Sequence, residues 1–204
     1  VCSSDLKMTV FAVLMRLREI CCDPRLVADN WTGSSAKLEA CLELVTEAVA
    51  GGHRILLFSQ FTSMLELLAK RLDEAGVSHF TLQGSTPKPV RAEQVRRFNQ
   101  GEADVFLISL RAGGTGLNLT AADIVIHYDP WWNLAAQNQA TDRAYRIGQR
   151  NPVQVYRLIA QDTIEEKIVE LQQAKQSLAD TVTGGADGAI LSMNPEQLLQ
   201  LLGE

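Results

Sequence analysis

Five short apolar runs, Arg54–Ser59, Ser78–Leu82, Asp104–Ser109, Asp123–His127 and Val153–Ile159, alternate with segments of helical periodicity, and this alternation restricts the chain more than any other feature. Partly β-branched runs of this length fit strands buried on both faces. Helical patterns follow at Thr62–Ala75, at Pro89–Asn99, more weakly at Gly116–Leu119, and near Leu134–Tyr145. Such a succession closes as an α/β fold, a parallel sheet with helices on both faces. Ahead of it, Met8–Cys22 has helical spacing and is stopped by Asp23-Pro24, and Gly33-Ser34-Ser35 precedes a helix over Ala36–Ala50 that Gly51-Gly52 closes. Thr163–Leu178 reads as a closing helix, with Thr163 as N-cap and Glu166 completing a capping box. Gly184–Gly188 reads as a linker and Asn194–Leu202 as a short terminal helix. The expected division is 1–34 as a helical segment, 35–180 as the α/β domain and 181–204 as linker and terminal helix.

With 204 residues, 46% hydrophobic and 21% charged, the chain has the composition of a globular domain and not of a disordered or coiled-coil one. No apolar run approaches the roughly 18 to 20 residues of a membrane span, and no signal peptide opens the chain, so a cytoplasmic protein is expected. The chain starts at Val1, and Val1–Lys7 leads into no pattern, which suggests a piece of a longer protein. Four cysteines without a CxxC and three scattered histidines indicate neither a zinc site nor a disulfide framework. The net charge of -5 argues against bulk attraction to nucleic acid. Four arginines without an acid between Arg143 and Arg157, and four basic residues against Glu93 between Lys88 and Arg97, form two local positive patches. These suit either directed phosphate contact or two solvated faces.

In an open parallel sheet ligands sit beyond the carboxyl ends of the strands. There this sequence places Ser59-Gln60-Phe61-Thr62, Gln83-Gly84-Ser85-Thr86-Pro87, Leu110 to Asn118 and Tyr128-Asp129-Pro130-Trp131-Trp132-Asn133. Gly113, Gly114 and Gly116 would let backbone N–H groups approach an anion, or simply make a tight turn. No GxxxxGK(S/T) loop occurs, and the absence of GxGxxG excludes a dinucleotide-binding oxidoreductase. On a helix Arg143 and Arg146 share a face and can reach one anionic centre, the plain alternative being surface ion pairs.

The motifs Phe58-Ser59-Gln60-Phe61, Gly84-Ser85-Thr86, Arg111 to Leu119, Asp129-Pro130-Trp131-Trp132-Asn133 and Gln139 to Gln149, in this order, resemble the second motor lobe of the Swi/Snf-type superfamily 2 DNA-dependent ATPases. The likeness covers roughly Met8 to Leu178, and Leu17-Arg18-Glu19-Ile20-Cys21-Cys22-Asp23-Pro24 resembles bacterial members in particular. It implies a RecA-like lobe of the P-loop NTPase type. ATP with Mg2+ would bind in a cleft against a first RecA-like lobe, which carries the Walker loop and the magnesium ligands. Residues 1–34 would be what remains of the inter-lobe region.

By the same resemblance Arg143 and Arg146 are arginine fingers, and Gln139 holds their helix against the nucleotide. Gly114 and Gly116, with Asn118, couple the nucleotide to DNA. Gln60, Ser85, Thr86, Ser109, Arg111 and Trp132 lie along the DNA, Trp132 connecting it to the fingers through the helix that Asn133 caps; Trp131 is read as core. Leu134 stands where proline is usual, Tyr145 where histidine is common, and the acidic pair often found near Ala136–Asn138 is absent. The implied activity is that of half an ATP-driven translocase on double-stranded DNA, remodelling protein–DNA complexes in a bacterial nucleoid, with this piece inactive alone. The alternative is an ATP-independent docking module for nucleic acid or a protein.

Overall fold

The computed structural model describes residues 3–28, 30–113, 117–144 and 152–179. Its elements are α1 (Ser3–Cys22), α2 (Ala36–Ala50), β1 (Ile55–Ser59), α3 (Thr62–Glu74), β2 (His79–Leu82), α4 (Lys88–Asn99), β3 (Val105–Ser109), α5 (Leu110–Gly113), β4 (Ile124–His127), α6 (Leu134–Thr141), β5 (Gln154–Arg157) and α7 (Ile164–Ala179), with a 3-10 turn at Pro24–Leu26 after α1. The strands form one sheet in the order β2-β3-β1-β4-β5, every pairing parallel.

Every residue of β1, β3 and β4 is buried, as expected for inner strands covered on both faces, while β2 and β5 are the more exposed edges. Alternate strand residues serve opposite layers because side chains in a strand point to opposite faces. Ile55, Leu57, Val105, Leu107, Ile124 and Ile126 pack against α2 and α3, through Leu38, Cys41 and Val45 and through Met64, Leu65, Leu68 and Leu72. Leu56, Phe58, Phe106, Ile108 and Val125 pack against Phe98 of α4, Ala112 of α5 and Ala140 of α6. Leu14 of α1 and Ile164 and Ile168 of α7 make a third, smaller cluster that includes Trp132.

Local chemistry sets the boundaries. The Ser35 hydroxyl accepts from Leu38 N–H at 3.5 Å to start α2, and Gly52, at φ +81°, supplies the left-handed residue just past its end. Asn133 caps α6 by accepting from Ala136 N–H at 3.1 Å, as expected. At α7 the Thr163 hydroxyl accepts from Glu165 N–H at 3.1 Å, but the Glu166 carboxylate reaches Asp162 N–H at 2.8 Å and not that of Thr163. The capping box is thus displaced by one residue, with Asp162 turned to φ +56°.

Two expectations need correcting. The weak helical pattern at Gly116–Leu119 is not a helix over its described part, Leu117–Leu119; the helix in this stretch is α5, directly after β3. Ser109 Oγ accepts from Ala112 N–H at 3.3 Å within α5, and Leu119 N–H is committed to Arg143 C=O at 3.3 Å. The helix expected to reach Tyr145 ends at Thr141, where the bonding changes from Asp142 N–H to Asn138 C=O to the tighter Arg143 N–H to Ala140 C=O and Ala144 N–H to Thr141 C=O. The expected linker and terminal helix fall within 180–204, outside the described residues.

His127 joins β4 to α6. Its buried ring stacks on Phe58 at 5.5 Å, and Nε2 lies 2.8 Å from Thr141 Oγ1. Since the Thr141 hydroxyl donates to Gln137 C=O, the ring donates through Nε2. Burial, helped by Arg157 beside it in β5, lowers its pKa to about 4. The unfolded histidine takes up its proton below about pH 6.5 and the folded one only near pH 4, so this stabilisation is present above pH 6.5 and is lost as pH falls between those values. His127→Gln should remove about 3 kcal/mol of that acid dependence, read from denaturant unfolding at several pH values. Asn133→Ala should cost about 1 kcal/mol at any pH, because Ala136 N–H loses its cap.

Candidate nucleotide and nucleic-acid interface

The register brings the strand ends level: Ser59 pairs with Ser109, Leu82 with Ile108 and Phe58 with His127. Along the carboxyl edge the positions therefore follow in sheet order, with Ser85 and Thr86 after β2, Ser109 at the end of β3, Gln60 after β1 and Trp132 after β4. Four adjacent strands span roughly 15 Å at a spacing of about 4.8 Å. The positions differ in access. Ser85 is exposed, and Thr86 is half-buried with Oγ1 accepting from Gln83 N–H at 3.0 Å. Ser109 is only 3% exposed. Gln60 and Trp132 are half-buried beneath α1.

At the centre of that edge lies Arg18, on α1, 1% exposed. Its Nη2 donates to Pro130 C=O at 2.7 Å and lies 3.8 Å from Asp129 Oδ2, while Nη1 donates to Gln60 Oε1 at 3.1 Å. The guanidinium sits over the Phe61 ring at 5.6 Å and the Trp132 ring at 5.3 Å. Asp129 also accepts from the Ser59 hydroxyl at 2.6 Å and from Gln60 N–H at 3.3 Å. Burial pushes the Asp129 pKa up and that of Arg18 down, each opposed by the partner's charge. A second buried pair stands beside it: Lys37 Nζ contacts both Glu165 oxygens at 2.6 Å, and Glu165 accepts from Ala160 N–H at 2.8 Å. Lys37 also lies over Tyr128 at 5.2 Å, whose hydroxyl donates to Cys22 C=O at 2.9 Å.

Among the residues expected to serve the nucleotide, Arg143 is 2% exposed and lies past the end of α6, in the turn that follows. Its carbonyl accepts from Leu119 N–H, joining that turn to the segment with Asn118. Asn118 is exposed, its carbonyl held by Asn99 Nδ2 at 2.8 Å, and Gln139 is exposed on α6. Arg146, Gly114, Gly116 and the Arg111 side chain lie outside the described residues. The connection expected from Trp132 to the fingers through the helix that Asn133 caps is corrected: α6 has 8 residues and stops before Arg143.

The buried amide of α6 is Gln137, two residues before the exposed Gln139 and so on the opposite side of the helix. Gln137 Oε1 accepts from Trp131 N–H at 3.1 Å and from Gln172 Nε2 at 3.4 Å, and Gln172 also donates to Trp131 C=O. Trp131 packs partly buried on the layer of α4 and α6. In the patch from Lys88 to Arg97, Arg96 pairs with Glu93 at 2.6 Å, and Arg97 pairs with Glu102 at 2.7 Å. Among the described residues no group of three or more His, Cys, Asp or Glu is placed to hold a metal, and no helix is long and apolar enough to cross a membrane.

Sequence reasoning passed over Arg18, Asp129, Gln137, Gln172 and the Lys37–Glu165 pair. Arg18 carries a usable signal, because it lies four residues after Leu14 and four before Cys22 on the buried stripe of α1, where a charge needs partners. The Lys37–Glu165 pair has none, its members being 128 residues apart.

The helicase conserved C-terminal domain model matches residues 36–148. An uncharacterised ATP-dependent helicase of Mycoplasma pneumoniae is 40% identical over 193 residues, which is 94% of this chain and 19% of that protein. The SWI/SNF-related matrix-associated actin-dependent regulator of chromatin subfamily A member 1 of Mus musculus is 39% identical over 189 residues, 86% of this chain and 18% of that protein. The chain thus spans about a fifth of the length of these relatives. The crystal structure of the C-terminal part of the Fun30 ATPase domain aligns with a TM-score of 0.69 at 28% identity, over 92% of this chain and 60% of that one. With five parallel strands between two helical layers, the chain belongs to the helicase conserved C-terminal domain family, as a RecA-like lobe of the Swi/Snf type.

Proposed function

We propose that the chain is the C-terminal motor lobe of an ATP-dependent translocase on double-stranded DNA, a protein of the cytoplasm and nucleoid that remodels protein–DNA complexes. A first RecA-like lobe supplies the Walker loop and the magnesium ligands. The reading is carried by the bond from Leu119 N–H to Arg143 C=O, which joins the segment holding Asn118 to the turn holding Arg143. A change at the nucleotide therefore has a direct covalent and hydrogen-bonded route into the loop after β3, which leads on to the DNA-facing edge.

In this reading Arg143 and Arg146 neutralise charge that grows on the transferred γ-phosphoryl group, a role worth on the order of 10³ to 10⁵ in rate for an arginine finger. The buried Arg143 reaches a phosphate only after the 142–144 turn shifts, and that turn is held by 3.1 and 3.3 Å bonds three residues apart and not by a helical ladder. Gln139, Gly114, Gly116 and Asn118 couple this event to the loop. Gln60, Ser85, Thr86, Arg111 and Trp132 meet the DNA backbone through hydroxyl, amide, guanidinium and aromatic groups, with the buried Ser109 supporting that edge by accepting from Ala112 N–H; contacts to the backbone carry no base readout, so the motor advances regardless of sequence.

In the full-length protein, Arg143→Ala or Arg146→Ala should lower kcat at least about 10²-fold and leave DNA affinity within a few-fold, because the charge acts in the transition state. Weakened DNA binding with turnover intact would instead make both arginines backbone contacts. The isolated 204 residues should show no DNA-stimulated ATP hydrolysis above a mock preparation, since they contain no GxxxxGK(S/T) loop. A full-length protein that binds DNA and hydrolyses no ATP would establish the docking module in place of the motor.

A further inference from the structure

We propose that Arg18 is a positioning residue: its guanidinium, inserted between the loops after β1 and β4, sets Gln60 and Trp132 together for contact with the DNA backbone. The inference rests on the reading just given for those two positions.

Apart from Met15 Sδ at 3.8 Å on its own helix, the contacts of the guanidinium go to those two loops, to Gln60 and Phe61 on one side and to Asp129, Pro130 and Trp132 on the other. The planar fork fixes directions that a flexible ammonium would not. With Gln60 Oε1 accepting from Nη1, the carboxamide has one orientation and Nε2 is left as its donor; this atom is buried without a partner among the described residues. Trp132 Nε1 is likewise buried without one, beneath the same guanidinium. Both loops therefore hold an N–H donor in reserve, and one cation determines where both point.

Packing alone does not call for arginine here. Two aromatic faces flank the guanidinium, which carries a desolvation cost that an apolar side chain avoids, although such a side chain would leave Asp129 buried without its counter-charge. Arg18 Nε has no hydrogen-bond partner among the described residues, so that cost is met only in part. What the guanidinium adds over an apolar group is direction: a bond to each loop from one rigid helix.

The test uses the full-length protein with Arg18→Met and Arg18→Lys, and follows amide hydrogen exchange and ATPase activity against duplex DNA concentration. In Arg18→Met, exchange over 59–62 and 129–133 should rise about ten-fold or more while 55–58 and 105–108 keep the parent's protection. Half-saturating DNA should rise about ten-fold with basal kcat within about two-fold, and adding Gln60→Ala should change half-saturation by less than about two-fold further. Unaltered exchange in both loops overturns the proposal, and so does a Gln60→Ala effect that adds in full. If Arg18→Met loosens the whole sheet, Arg18→Lys decides, because it keeps charge and stem but not the fork. Looser loops on a protected sheet then support positioning, and parent-like loops refute it. A parent whose ATPase ignores DNA overturns the DNA role of Gln60 and Trp132, while the exchange measurement still decides whether Arg18 sets the loops.

Discussion

The buried guanidinium of Arg18 is the constraint on which the carboxyl edge of the sheet is built. β1 and β4 are neighbours, but α3 leaves β1 on one face and α6 leaves β4 on the other, so the two loops part just where ligands bind in such sheets. A cation in that gap must be paid for by partners from both sides, and it finds Gln60 Oε1, Pro130 C=O, the Asp129 carboxylate and two aromatic faces. Asp129 in turn binds Ser59 and the Gln60 backbone, so the charge that balances Arg18 also ties β1 to β4. Removing either member would leave the other buried without its counter-charge, which is far more damaging than replacing both.

The Lys37–Glu165 pair extends this arrangement to the ends of the fold. Lys37 is in the first turn of α2 and Glu165 in the first turn of α7, and their contact brings the starts of two distant helices to one place beside the end of β4. The Tyr128 hydroxyl then reaches Cys22 C=O at the end of α1. Burial raises the pKa of Glu165 and of the Tyr128 hydroxyl, and the Lys37 ammonium opposes it at Glu165. Helices α1, α2 and α7 thus share charged and polar contacts at the carboxyl edge of the sheet, and α2 also packs on it through the same apolar layer as α3.

Strand limits were legible in the sequence because inner strands of a parallel sheet are uninterrupted apolar runs, and β1, β3 and β4 begin one residue inside the expected spans and end where expected. Ala36–Ala50 was legible from its serine cap and its glycines. The path of Leu117–Leu119 was not, since it depends on tertiary bonds from Asn99 to Asn118 and from Leu119 to Arg143 that no local pattern encodes. The early end of α6 has the same origin, because the Arg143 carbonyl serves another loop. Of the site, the order of positions along the edge could be read from strand succession, whereas their depth could not. Ser109 and Gln60 follow strands in the same way as Ser85, but α5 and α1 cover them.

That depth has a chemical direction. Ser109 Oγ and Thr86 Oγ1 accept from backbone N–H groups, and Gln60 Oε1 accepts from Arg18. These three acceptors are thereby engaged within the lobe, while the Gln60 Nε2 and Trp132 Nε1 N–H groups are donors left buried without partners among the described residues. Under the proposed DNA role, a phosphate diester offers acceptors only, so internal bonding of this kind would suit the edge to phosphate without adding net positive charge, in a chain whose formal charge is -5. Because one guanidinium both occupies the Gln60 acceptor and covers the Trp132 ring, those two donors belong to a single unit, and a shift of α1 moves them together.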